Sequence, residues 1–253
     1  MKIAYSFILI ILVLSSSEVV GQRQGNNLHR VNFIGVNEAG DSIYSELEVA
    51  LTAINVADSA IANHIAQFIE MRVIEDMGLD SMGKPHKSIL DAGLAFEAAC
   101  RGEDESSMWS SWYYSASSVV LFQNKNMMTI ELAIETYTGG AHPSHYISIH
   151  NFNSHDGRPI APSEWITNLN DLRQFAEKYF WESVAHAFEE ETDRTEFFWG
   201  EPFTLPANIG LYDGGILLFY NEYEAAPYVF GPIPVDIPMD AVLGFLKKEY
   251  IGE

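Results

Sequence analysis

Two alternating runs, Met127 to Tyr137 and His145 to His150, constrain this chain most; only the short stretch from Thr138 to Ser144 separates them. A period of two sends successive side chains to opposite faces of a strand, and consecutive strands joined by a tight glycine turn pair antiparallel. In the first run Met128, Ile130, Leu132 and Ile134 share one face, while Thr129, Glu131, Glu135 and Tyr137 share the other. In the second run His145, Ile147 and Ile149 alternate with Tyr146, Ser148 and His150. Keeping the aliphatic residues together predicts Ile134 opposite Ile147 and Leu132 opposite Ile149. The same register puts Glu131 opposite His150 on the outer face.

The remaining elements follow from local patterns. Residues 43 to 56 and Trp112 to Phe122 are β-branched and aromatic, and predict strands. Ile61, Ile65, Phe68, Ile69 and Val73 recur at helical spacing, with Ser59 as an N-cap and Gly78 as the stop. Ser88 to Arg101 predicts a shorter helix. Leu172, Phe175, Ala176, Tyr179, Phe180 and Val184 predict an amphipathic one. Asp213-Gly214-Gly215 turns a second hairpin into the strand Ile216 to Tyr220. Pro227, Pro232 and Pro234 then break the chain into edge-like pieces, and a helix is predicted from Pro238 through Leu246. Central strands that follow one another without intervening helices predict an α+β fold. Its sheet is mainly antiparallel, its helices pack on one face, and it forms two closely associated subdomains.

The N-terminus predicts export. Lys2, the apolar run from Ile3 to Leu14 and the small residues up to Gly21 read as a signal peptide over residues 1–21. A leader over 22–40 follows, then subdomains over 41–138 and 139–253. No later run reaches about 18 apolar residues, so no membrane contact is expected after cleavage, and the protein is expected to be periplasmic or secreted. Cys100 is the single cysteine, so no internal disulfide forms. The net charge of −21 is unchanged by losing Lys2 and Glu18. Such a surface repels nucleic acid and attracts a basic partner.

Catalytic motifs are missing from the pattern. His142, His145, His150 and His155 cluster in sequence, but His145 and His150 point to opposite faces of a strand, and no metal-binding spacing accompanies them. No metal site or cofactor is expected. An acid/base group of His142, His150 and Glu131 is the enzymatic alternative, that of an envelope-acting hydrolase or metal-dependent enzyme. The Gly-Gly pairs lack the lysine and the strand–loop–helix context of a phosphate cradle, and read as tight turns. Trp109, Trp112, Tyr113 and Tyr114 divide between core and surface.

Thr138-Gly139-Gly140-Ala141-His142, following an alternating strand, resembles the central motif of the extracellular domain of RsiV-type anti-sigma factors, which sense lysozyme. The same kind of domain occurs as a non-catalytic module beside PdaC-type peptidoglycan deacetylases. The stretch from Phe203 to Leu246 is similar to that family's C-terminal half: a hairpin, the block Tyr220-x-x-Tyr223-x-x-Ala226-Pro227-Tyr228, Gly231, a strand and a helix. The sigma-binding segment, the internal membrane helix and the deacetylase domain of those proteins have no counterpart in these residues. The resemblance therefore implies an exported, non-catalytic binding domain of the bacterial cell envelope. Its expected partner is a basic protein such as lysozyme, or a cell-wall component such as peptidoglycan. Binding is expected at Thr138, Gly139, Gly140 and His142 in the first motif, and at Tyr220, Tyr223, Pro227 and Tyr228 in the second.

Overall fold

The computed structural model describes residues 12–13, 26–36, 42–78, 82–102, 112–185 and 194–251. Apart from 12–13, the expected signal segment lies outside them, as does Trp109. In chain order the first elements are β1 (Leu12–Val13), β2 (Asn26–Val36), β3 (Ser42–Thr52), α1 (Ser59–Asp76), α2 (Ile89–Gly102), β4 (Trp112–Gln123), β5 (Met127–Tyr137) and β6 (Ser144–Asn153). They are followed by α3 (Pro162–Trp165), α4 (Leu169–Val184), β7 (Asn208–Tyr212), β8 (Gly215–Tyr220), β9 (Ile233–Pro238), α5 (Met239–Val242) and α6 (Lys248–Ile251). Strands β1 to β6 lie in sequence order in one sheet, and β7 to β9 form a second. The architecture is α+β, as the patterning implied.

Residues 26–36, read from sequence as part of a leader, form β2 and pair antiparallel with β3. Strands β3 and β4 pair in parallel, with Ser45 opposite Trp112 and Ala50 opposite Ser117. A parallel pair needs a long crossover, and α1 and α2 lie in that connection. Asp58 caps α1, its carboxylate accepting the Ala60 N–H at 2.8 Å, one residue before the expected Ser59. Ser88 does the same for α2 through the Asp91 N–H at 3.1 Å. Asn168 caps α4, accepting from Asn170 at 2.9 Å.

The described residues group into two units. The first is drawn from Met1–Asn55, Ala66–Ser117 and Ile134–Ser144, the second from Val56–Ile65, Ser118–Ala133 and His145–Glu253. In the first unit Leu47, Val49 and Leu51 of β3 are buried, as are Ile69, Val73 and Ile74 of α1 and Ile89 and Ala92 of α2. Tyr114 is buried there too, and its hydroxyl donates to the Asp76 carboxylate at 3.1 Å. Trp112 and Tyr113 are half-buried.

The second unit is built on aromatic packing. Phe180 of α4 sits 5.0 Å from Phe198, 5.2 Å from Tyr220, 5.5 Å from Phe203 and 5.7 Å from Phe197, centroid to centroid. Rings of this size each bury about 150–250 Å² and dominate a core. Strand β7 lies against side chains of β5 and β6 because Gly210 has none; a Cβ there would stand 2.5 Å from Ile149 Cγ2 and 2.7 Å from Thr129 Cγ2. Along β9, Ile233, Val235 and Ile237 are buried while Pro234, Asp236 and Pro238 are exposed.

Two further expectations need correction. The Thr129 hydroxyl donates to Asn151 Oδ1 at 2.9 Å, and the Ser154 N–H donates to the Asn126 carbonyl at 3.1 Å. Thr129 and Asn151 therefore share a face, which shifts the β5–β6 register by one from the expected pairing of Leu132 with Ile149. Glu131 follows Thr129 on that face, while His150 takes the opposite one beside Ser148 and Phe152. The helix expected from Pro238 to Leu246 is also broken. After α5 comes a 3-10 turn at Leu243–Phe245, then extended backbone at Leu246, which bridges to Ile166. Gly244 inside the expected helix weakens it, and the pairing with Ile166 takes over.

Candidate functional site

The Thr138–His142 segment closes on itself within the first unit. Gly139 and Gly140 have φ of 94° and 112°, the left-handed region where a side chain is disfavoured. The Tyr137 hydroxyl donates to the Gly140 carbonyl at 3.0 Å. Thr138 and His142 are exposed, and His142 Nδ1 lies 2.8 Å from the Pro143 carbonyl. On the adjoining strands Tyr113 donates a short hydrogen bond to Glu135, and its ring lies 6.0 Å from that of Tyr137. That hydrogen bond is the main reason the Tyr113 phenol is pushed up to about 12.

The second motif occupies the second unit and divides between core and surface. Tyr220, expected at a binding rim, is instead buried (1% exposed), with its hydroxyl donating to the Thr204 carbonyl at 2.7 Å. Burial pushes its phenol up. Its ring is therefore spent on the Phe180 cluster. Asn221 then clamps the edge of β6: Oδ1 accepts the Ile147 N–H at 2.8 Å, and Nδ2 donates to the Ile147 carbonyl at 2.9 Å. Asn208 adds a second amide, accepting the Ile149 N–H and donating to the same Ile147 carbonyl, both at 3.0 Å. Glu224 holds the loop from inside, accepting the N–H groups of Ala207 at 2.7 Å and Asn221 at 2.9 Å.

With its ends fixed in this way, the loop presents Tyr223 outward, 60% exposed at a φ of 64°. The half-buried Tyr228 ring lies 5.7 Å from it, the two planes 33° apart. Pro227 is half-buried, and Val229 beside them is 84% exposed.

A further exposed aromatic, Trp199, escaped the sequence reading. Arg194–Gly200 reverses direction through Phe198 and Trp199, both at a φ of 52°. Phe197 and Phe198 enter the core, and Trp199 is left 58% exposed. Among the described residues, Phe198, Trp199 and Tyr223 are the non-glycine residues with positive φ. Each such residue costs about 1–3 kcal/mol and persists only where its surroundings hold it, and such strain clusters at functional sites. The segments bearing all three are tied together: the Phe198 N–H donates to the Ala225 carbonyl at 2.7 Å, and the Phe197 and Phe230 rings lie 5.0 Å apart. The run Glu196-Phe197-Phe198-Trp199-Gly200 was the available signal, since three successive aromatics cannot all face inward on regular backbone.

The enzymatic alternative finds little geometry. Glu131 and His150 face opposite sides of the sheet, although burial does raise the Glu131 carboxyl above its usual range. Among the described residues no group of three or more His, Cys, Asp or Glu is arranged to hold a metal. A cleft of about 670 Å³, lined by Thr167, Leu246, Lys247 and Ile251 among others, contains none of the candidate residues. Its Lys247 ammonium is already engaged by the Glu164 carbonyl at 2.6 Å.

Residues 163–240 match the model of a family described as a protein of unknown function, DUF3298. That segment contains Trp199, Tyr223, Pro227 and Tyr228; the Thr138–His142 turn lies outside it. The crystal structure of a DUF3298-family protein from Bacteroides fragilis is similar over 89% of this chain and 94% of its own, at 18% identity and a TM-score of 0.64. That of a DUF3298-family protein from Pseudomonas aeruginosa is similar over 90% and 97%, at 15% identity and a TM-score of 0.66. At these identities the likeness is one of fold. No curated protein matches the chain.

Proposed function

We propose that this chain is an exported, non-catalytic binding domain of the bacterial cell envelope that docks a basic protein such as lysozyme through Trp199, Tyr223 and Tyr228. The observation that carries this reading is the pair of exposed aromatics, Trp199 and Tyr223, held outward on strained backbone by two interlocked segments. An exposed apolar residue by itself needs no explanation. Holding two of them out of the core against a conformational penalty does. Tryptophan and tyrosine are also the residues that most often dominate binding energy at protein interfaces.

Charge supports the choice of partner. At −21, the chain speeds encounters with basic proteins and opposes contact with nucleic acid or anionic lipid. The resemblance to lysozyme-sensing extracellular domains points the same way. Peptidoglycan is the ligand to consider if no protein binds.

The test is binding of the purified chain to a basic C-type lysozyme, at low and at physiological salt, with lysis of bacterial cells followed in parallel. The Debye length falls from about 30 Å at 0.01 M salt to about 8 Å at 0.15 M, so general charge attraction weakens while a docked interface persists. Binding that survives physiological salt and suppresses lysis is expected. Binding that vanishes on adding salt, or no binding at all, removes the lysozyme reading.

A further inference from the structure

The exposed Tyr223 ring lies 5.7 Å from that of the half-buried Tyr228, centroid to centroid, with the planes tilted by 33°, and Glu222 immediately precedes Tyr223 in sequence. The Glu222 carboxylate is close enough to help hold the Tyr228 phenol above its usual range, second to desolvation. A cation within about 6 Å of an aromatic face is drawn to the ring's negative quadrupole, and a neighbouring carboxylate adds to that pull. The fold uses this contact internally: the Arg194 guanidinium sits 4.7 Å from the Trp181 ring, and the Lys178 ammonium 4.6 Å from that of Phe175. Basic side chains are scarce here, 14 against 35 acidic ones. At this balance of charge the surface draws the basic side chains of a partner toward it.

We propose that Tyr223, Tyr228 and Glu222 form a seat for one guanidinium or ammonium group projecting from a basic protein partner. This rests on the binding reading above and specifies which chemical group the partner inserts. The seat differs from bulk charge attraction in a testable way. Replacing tyrosine with leucine leaves the net charge unchanged, so it removes the ring faces without touching the long-range field.

The probe is an arginine-rich peptide, compared with the same peptide carrying citrulline in place of arginine, titrated at physiological salt against the wild-type chain, Tyr223→Phe, Tyr223→Leu and Glu222→Gln. Tyr223→Leu is expected to weaken the arginine peptide about fivefold to tenfold. Tyr223→Phe, which keeps the ring, is expected to bind as the wild type does, and the citrulline peptide to bind weakly to all four. Glu222→Gln, which leaves the rings in place, provides a second variant should Tyr223→Leu fail to fold, and is expected to lose affinity about threefold or more. Equal binding by wild type and Tyr223→Leu overturns the proposal. So does equal binding of the arginine and citrulline peptides, which makes the rings a neutral stacking platform of the kind a glycan uses. Absence of arginine-peptide binding overturns the seat while leaving the lysozyme experiment to decide the broader function on its own.

Discussion

Asn221 offers the most direct check on how the Tyr223 loop is held. Its side chain makes two hydrogen bonds to Ile147, at 2.8 and 2.9 Å, and the Ile147 carbonyl keeps a further donor in Asn208. In Asn221→Ala the carbonyl therefore stays satisfied, but the Ile147 N–H loses its acceptor. Stranding one amide costs about 1–3 kcal/mol and the second bond contributes about 1 kcal/mol. Because Ile147 and Asn221 are half-buried, water recovers part of this, and a loss of about 2 kcal/mol is expected. Asn221→Asp separates the two bonds. The new carboxyl still accepts the Ile147 N–H, but when ionised it turns a second oxygen toward the Ile147 carbonyl. That repulsion raises the folded-state pKa above the value of about 3.9 in the unfolded chain. A raised folded pKa contributes stability that is present at low pH and lost as the pH rises through it. The deficit of Asn221→Asp against wild type should thus shrink between pH 7 and about pH 4, while that of Asn221→Ala stays constant. Urea unfolding of all three chains at both pH values measures this. An Asn221→Ala chain within about 0.5 kcal/mol of wild type, or an Asn221→Asp deficit independent of pH, would refute the amide clamp.

Other perturbations separate backbone strain from collision and core from surface. Gly215→Ala would place a Cβ 2.0 Å from the Ile237 carbonyl oxygen at a φ of 152°, and should cost about 3 kcal/mol or more in thermal unfolding. Gly140→Ala meets no atom within 4 Å, so only the strain of φ 112° remains, and its loss should be about 1–2 kcal/mol. Tyr220→Phe should cost about 1 kcal/mol through the Thr204 hydrogen bond while leaving partner binding unchanged, since the ring is internal. In a spectroscopic titration, the Tyr113 phenol should ionise near pH 12, and Glu135→Gln should bring it back toward the ordinary value for tyrosine.

Much of the fold was legible because its elements carry their own periodicity and punctuation. Strand β5 begins and ends where the alternation does, and α4 buries Leu172, Ala176, Phe180 and Val184 from the stripe that its spacing marked. The strand register failed for an identifiable reason. Met127, Met128, Thr129 and Ile130 are all buried, so the start of β5 is covered on both faces. Matching aliphatic residues across such a hairpin cannot decide its parity. The decision falls to a polar pair, Thr129 with Asn151, which lies beside Gly210 of β7, where the Asn151 amide donates to the Ile209 carbonyl at 2.8 Å. In the candidate site, the tyrosine block drew attention through its prolines and aromatics, but the division between internal Tyr220 and external Tyr223 depends on the positive φ of Tyr223. For Trp199 the run of three aromatics marked the segment, but which of the three turns outward is decided by the positive φ of Phe198 and Trp199. Left-handed backbone at a residue other than glycine leaves no compositional mark.

The outer margin of the second sheet narrows the ways a partner can attach. Proline has no N–H, so within a strand it stands where its nitrogen points away from the neighbour, and Pro234 and Pro238 occupy such positions along β9. Between them Asp236 retains an outward amide, beneath a charged side chain that resists an incoming chain. An extended peptide extending a sheet needs a donor at every second residue. This margin has a donor valence of one, which closes main-chain recognition along it. A partner approaching along this margin must be selected by its side chains.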